Sequence, residues 1–154
     1  MRVHLKEEMV TQANAQFWEQ MLSMKLVSIP IPAESCLPPG HFVASVDFSG
    51  IWRGSVEVRM ALELGKSATA AMLMLPVEEL SEADTLDAIK EIANMIAGGI
   101  KSALPRPCSM TVPISALHLK LFCGPARTED SLTVAFQHET GDLIIRVLEL
   151  EYPA

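Results

Sequence analysis

The order and periodicity of the apolar residues predict an α+β domain, in which a largely antiparallel sheet carries two central helices and an N-terminal helix packed on it. Three observations predict it. Over residues 55–64, Val56, Val58, Met60, Leu62 and Leu64 alternate with Glu57, Arg59, Ala61 and Glu63, the period of a strand with one buried and one solvated face. Over residues 85–104, Leu86, Ile89, Ala93, Ile96, Ile100 and Leu104 recur at helical spacing. The elements also come in blocks (helix, two strands, two helices, three strands) rather than in the strict alternation of a parallel α/β chain.

Taken in order, residues 7–26 read as a helix whose apolar face is Val10, Ala13, Phe17, Met21 and Met24, with Gln12, Gln16 and Glu19 facing outward. Residues 28–40 contain Pro30, Pro32, Pro38 and Pro39 and read as a connector or irregular edge. A strand pair follows over 41–51 and 55–64, turning near Arg53 and Gly54. Gly65 breaks that pattern, and residues 66–75, rich in alanine and methionine, read as a short helix stopped by Pro76. Ser81, with Asp84 three residues on, is an N-terminal cap for the central helix, which Pro105 and Pro107 end. Strands are expected at 109–121, 131–138 and 142–151, the last two joined by Glu139, Thr140 and Gly141. There is no internal repeat, so residues 1–154 are expected to form one domain, and a hydrophobic content of 49% is enough for its core.

Charge and composition exclude several classes of function. A formal net charge of -7 with scattered Lys and Arg gives no electrostatic grip on nucleic acid or on an anionic membrane. No apolar run approaches the roughly 20 residues that span a bilayer. Arg2 and Lys6 are followed by Glu7 and Glu8 where a signal peptide needs its apolar segment, so a cytoplasmic location is expected. Cys36, Cys108 and Cys123 are dispersed and form no CxxC pair; the expectation is reduced, partly buried thiols. His4, His41, His118 and His138 are equally dispersed, so no metal site is signalled.

The polar side of the central helix carries the chemistry. Asp87, Glu91, Asn94 and Gly98 recur at spacings of four, three and four, which at roughly 100° per residue is a single stripe opposite the apolar one. Gly98 and Gly99 each cost a helix interior about 1 kcal/mol relative to alanine. At Gly98 either a close approach by another surface offsets that cost, or the helix ends there in a glycine cap. The stripe offers no activated nucleophile: Ser102 has no base beside it, and Asp87 and Glu91 lie on one side rather than opposed across a substrate. The Asn94 carboxamide, which accepts and donates at once, is suited to holding a water molecule. Orienting water for in-line attack is what phosphoryl hydrolysis needs when the metal and electrophile come from elsewhere.

The segment DAIKEIANMIAGGIKSALP resembles the signature helix of the CheX/CheC-type chemotaxis phosphatases, Asp/Ser-x-x-x-Glu-x-x-Asn followed by glycine and, further on, proline. Asp87, Glu91, Asn94 and Gly98 match it, and Pro113 corresponds to the downstream proline at a shorter distance than the pattern has. Upstream, FSGIWRGSVEVRMAL is similar to the family's glycine-bounded hairpin. The family commonly has Gly-Asn where this chain has Gly98-Gly99, and the single motif is CheX-like. The resemblance implies a CheC-like fold, a single CheX-like phosphatase domain over residues 1–154 and a homodimer. It implies as substrate a CheY-like phosphorylated response regulator, whose aspartyl phosphate is hydrolysed with Mg²⁺ supplied by the regulator and no cofactor of the chain's own. In those terms Asn94 orients the attacking water, Glu91 pairs with the regulator's lysine, and Asp87 and Gly98 belong to the partner-binding surface. For the homodimer, residues 143–150 and 56–62 are either pairing edges or internal to one sheet. Two other readings compete: a non-catalytic CheX-like module that binds a signalling partner, and a small-molecule hydrolase, which lacks a nucleophile, a metal cluster and a phosphate loop.

Overall fold

In chain order the elements are α1 (Glu7–Leu22), β1 (Val27–Ile29), β2 (Cys36–Leu37), β3 (His41–Gly50), β4 (Gly54–Ala61), α2 (Leu62–Leu73), a 3-10 turn (Val77–Glu79), α3 (Glu82–Lys101), β5 (Cys108–Met110), β6 (Ile114–His118), β7 (Phe122–Cys123), β8 (Ser131–His138) and β9 (Gly141–Glu149). The structure, a computed structural model, describes residues 7–29, 36–123 and 131–150. The main sheet runs β1-β8-β9-β4-β3, with β5 and β6 both paired to the far side of β3. Every pairing in it is antiparallel, so the fold is α+β as the sequence predicts. Residues 56–62 and 143–150, candidate edges in the sequence, fall largely within β4 and β9, which are internal to the sheet.

The inner face of the sheet holds the core. Phe42, Ala44, Val46 and Phe48 of β3 and Val56, Val58 and Met60 of β4 are buried together with Ile89, Ile92, Ile96 and Ile100 of α3. Burial of each isoleucine is worth about 1.5–3 kcal/mol, and this face fixes how α3 lies on the sheet. The outer face carries a smaller cluster in which Leu37, Ala135 and Ile144 are buried with Ile29, Ala61 and Phe122 packed against them. Beside it His41 is fully buried. Its Nδ1 lies 2.9 Å from Pro38 O and its Nε2 lies 3.0 Å from Arg59 Nη1. A carbonyl only accepts and a guanidinium only donates, so the proton is on Nδ1.

Five expectations are corrected. Leu62 and Leu64 belong to α2, not to the strand, and Gly65 is interior to that helix. The strand period and the helix period cannot be told apart over so few residues; the glycine is there because a Cβ would collide with the Phe42 ring. In α1 the buried face is Val10, Asn14, Phe17, Trp18 and Leu22, while Met21 is 58% exposed. Asn14 is admitted to that face because its Oδ1 accepts from Trp18 Nε1 at 2.8 Å. The expected strand over 109–121 is two strands. Between them Thr111 takes over the pairing to Asp47, its N–H donating to Asp47 O at 2.9 Å and its side-chain Oγ1 accepting from Asp47 N–H at 3.0 Å. Finally, residues 28–40 are not only connector: β1 extends the main sheet, and β2 pairs with β7 in a small antiparallel ribbon. Cys36 is disulfide-bonded, contrary to the expected free thiol; it lies on the β2–β7 ribbon, which sequence distance does not reveal. Cys108 is free and buried. His4, Pro30 and Pro32 lie outside the described residues.

Candidate functional site

α3 is held at its start, its end and along one side. Ser81 Oγ accepts from Asp84 N–H at 3.0 Å and Asp84 Oδ2 accepts from Ser81 N–H at 3.2 Å, a complete capping box. Lys101 in the last turn complements the helix dipole. Ser115 of β6 donates its hydroxyl to Leu86 O at 2.8 Å, tying the sheet edge to the helix. The expected apolar stripe is inside, with Ile89, Ala93, Ile96, Ile100 and Leu104 buried and Leu86 half-buried.

The other side of this rigid rod presents the polar stripe. Asp87, Glu91 and Gly98 are exposed and Asn94 is half-buried. Side chains three residues apart on a helix have Cβ atoms about 5–6 Å from each other, so the Glu91 carboxylate and Asn94 carboxamide form one constellation. Among the described residues neither takes part in a hydrogen bond or an ion pair. Asp87 pairs with Lys90 at 3.4 Å, but its side chain is 78% exposed and the pair adds little stability.

The two glycines have different surroundings. The helix continues to Lys101, so Gly98 is interior and is not a glycine cap. A Cβ at Gly98 meets nothing within 4 Å, whereas a Cβ at Gly99 lies 3.3 Å from the Ala13 Cβ of α1. The close approach within the chain is therefore at Gly99.

Two hollows lie beside the stripe. On the α1 side, Gln12 and Gln16 line a groove of about 370 Å³ with Met95 and Ser102. Pro113 sits half-buried in the break between β5 and β6. Past the end of the helix, Lys101 and Arg106 line a cavity of about 550 Å³ that opens at Gly98. Sequence reading missed these two cations. Lys101 stands seven residues beyond Asn94, two turns along the same side of the helix, and that spacing was the available signal. Among the described residues no group of three or more His, Cys, Asp or Glu converges as metal ligands, and no helix is long and apolar enough to cross a membrane.

Comparison with known proteins agrees with this architecture. Residues 42–137 match the family model described as chemotaxis phosphatase CheX. The chemotaxis protein CheX from Vibrio vulnificus superposes with a TM-score of 0.75 at 17% identity, over 97% of this chain and 100% of that one. A CheC-like superfamily protein from Shewanella sp. PV-4 gives 0.74 at 16% identity, over 96% and 100%. The CheX–CheY–BeF3–Mg²⁺ complex from Borrelia burgdorferi contains a chain that superposes at 0.64 with 16% identity, over 94% and 97%. At such identities these structures establish a shared fold. No curated protein sequence matches the chain. The family match covers more than half of the sequence and spans β3 through most of β8, including the whole of α3: the chain belongs to the CheX family of chemotaxis phosphatases.

Proposed function

We propose that this protein accelerates hydrolysis of the aspartyl phosphate on a CheY-like response regulator. One observation carries the reading: Glu91 and Asn94 stand together on the open side of a braced helix, without partners among the described residues, beside a glycine that meets nothing of its own chain. The family supports phosphatase chemistry, and a CheX bound to CheY, beryllofluoride and Mg²⁺ is among the similar folds.

An acyl phosphate is already reactive, and its leaving carboxylate needs no acid catalyst. The chief service left to an enzyme is to place the nucleophile in line. The Asn94 carbonyl accepts a hydrogen bond from the attacking water and so orients its lone pair toward phosphorus. The bond from water oxygen to phosphorus forms as the acyl oxygen–phosphorus bond breaks, which leaves the regulator's free carboxylate and inorganic phosphate. The amide takes no proton; the water's proton passes to the phosphate product or to solvent. Glu91 pairs with the regulator's lysine and sets the register of the two surfaces. Gly98 admits the partner's backbone, and Asp87, held by Lys90, contacts its rim. Mg²⁺ belongs to the phosphorylated regulator, whose carboxylates hold it.

In this reading the chain acts in the cytoplasm as a homodimer of single domains. Support for a second copy comes from the sheet edge: Ile114 of β6 and the nearby Val112, Leu119 and Leu121 are 68%, 85%, 72% and 63% exposed. A light-scattering mass of the parent and of Ile114→Lys tests it; a monomeric parent removes the homodimer from the proposal. The disulfide at Cys36 runs against a reducing compartment, and titration of free thiols in freshly extracted protein measures which state prevails.

The decisive experiment follows loss of phosphate from a purified regulator, phosphorylated by a small-molecule donor, with this protein in catalytic amount. Asn94→Ala is expected to slow turnover on the order of a hundredfold while the fold persists. An Asn94→Ala protein as fast as the parent would remove the proposed role. Stoichiometric binding without turnover would support the module that binds a signalling partner and hydrolyses nothing.

A further inference from the structure

Charge along the outward stripe of α3 changes sign from one end to the other. Its N-terminal half carries Asp87, paired with Lys90 at 3.4 Å, and the unpaired carboxylate of Glu91. Its C-terminal end carries Lys101, and Arg106 stands on the loop leading to β5. Ten residues at about 1.5 Å each put Lys101 about 15 Å beyond Glu91 along the helix. Lys101 and Arg106 wall the cavity of about 550 Å³ that opens at Gly98, and no carboxylate lines it. In a chain with 19 Asp and Glu against 12 Lys and Arg, a cavity with two cations and no acid is a departure from the rest of the surface. Among the described residues neither cation has an ion-pair partner. Gly98 is the shared boundary: it belongs to the proposed phosphatase stripe and lines this cavity, and a Cβ on it meets nothing within 4 Å.

We infer that Lys101 and Arg106 are the specificity-determining wall that receives the acidic face of the phosphorylated regulator. This rests on the phosphatase reading above. The phosphoryl group and the carboxylates gathered around its Mg²⁺ leave that face of the regulator net acidic, and two unpaired cations beside the stripe complement its field. The docking strip is therefore polar along its length, with Glu91 directed to the partner's cation and Lys101 and Arg106 to its acids. A partner turned end for end meets like charge at both positions. The wall acts on encounter and orientation, not on the reacting atoms, so it governs KM and the association rate.

The test compares the parent with Lys101→Gln, Arg106→Gln, the double variant and Lys101→Arg. Each acts on a phosphorylated regulator at low ionic strength and at roughly 0.5 M salt, where charges more than a few ångströms apart are screened. For the double variant KM is expected to rise roughly tenfold at low salt, with kcat within about twofold of the parent and the difference closing at high salt. Lys101→Arg keeps parental kinetics. A double variant with the parent's KM and salt dependence overturns the proposal, as does a KM increase that salt leaves unchanged, since that marks a structural role. Affinity for the beryllofluoride-activated regulator, measured in an Asn94→Ala background, separates the two readings. If the parent fails to hydrolyse but binding keeps the charge dependence, the wall stands and the hydrolytic reading falls. If the parent binds no activated regulator, both fall.

Discussion

The two long sides of α3 are built by opposite rules. On the inner side Ile89, Ile92 and Ile96 are fully buried in the core that α3 shares with β3, β4 and the other helices. On the outer side Glu91 and Asn94 have no partner among the described residues, and Gly98 faces open space. A chain under selection for stability alone would place alanine or lysine at such positions, since helix propensity favours them over asparagine and glycine. The difference teaches where to look for function in a helix: at the groups that folding itself does not use.

Substitutions on the two sides should therefore fail in different ways. Ile96→Ala removes packing from the center of the inner face and is expected to cost about 2–5 kcal/mol of unfolding free energy, read by denaturant titration. Its turnover should follow the folded fraction and return to the parent's value once that fraction is allowed for. Asn94→Ala, two residues back and on the outer side, should lose turnover and change stability by less than about 0.5 kcal/mol. If Asn94→Ala unfolds the protein, the distinction between the two sides is wrong.

The adjacent glycines sharpen the contrast at one peptide's distance. Gly98→Ala adds a methyl group to empty space and should raise stability by about 0.5–1 kcal/mol through helix propensity, while weakening binding of the activated regulator. Gly99→Ala gains the same propensity but sets its Cβ 3.3 Å from Ala13, so the gain should be reduced or reversed. Equal stability changes for the two variants would mean that α1 yields freely, and an unweakened Gly98→Ala would remove the close approach assigned to the partner.

Periodicity made the closed regions legible in the sequence and local chemistry made part of the open one so. The Ser81–Asp84 cap, the inner stripe of α3, the hairpin of β8 and β9 and the β3–β4 pair all follow from spacing, because each is decided within a few residues. What stayed hidden is decided across the chain. Gly65 reads as a break until Phe42 is seen against it. The β2–β7 ribbon and the disulfide at Cys36 depend on bringing distant segments together, and so does the neighbourhood of Lys101 and Arg106. Spacing alone reads Met21 as core because it does not tell how far the buried face of α1 turns from Phe17 toward Trp18 and Leu22. In the same way Asp87, Glu91, Asn94 and Gly98 could be placed on one stripe from spacing, but that Glu91 and Asn94 are left without partners depended on the folded structure.

The smallest effect concerns pH and belongs to the closed part of the molecule. His41 is buried with its Nδ1 proton given to Pro38 O and its Nε2 facing the Arg59 guanidinium. Its pKa is lowered from 6.5, chiefly by burial, with Arg59 and His118 lowering it further and the Pro38 bond and Glu57 opposing them. A histidine held neutral by folding binds its proton more readily in the unfolded chain. Its contribution is therefore complete above pH 6.5 and is lost as pH falls from there through the lower folded value. The protonated ring also loses the acceptor that Arg59 uses. Denaturant midpoints between pH 7.5 and 5.5 should thus fall more steeply for the parent than for His41→Gln, whose amide carries no charge at any of these pH values. Equal slopes would move the pH dependence to another group. Equal regulator affinities for the two proteins at pH 7.5 would leave the open stripe of α3 untouched by the change, as the contrast between satisfied and unpartnered surfaces requires.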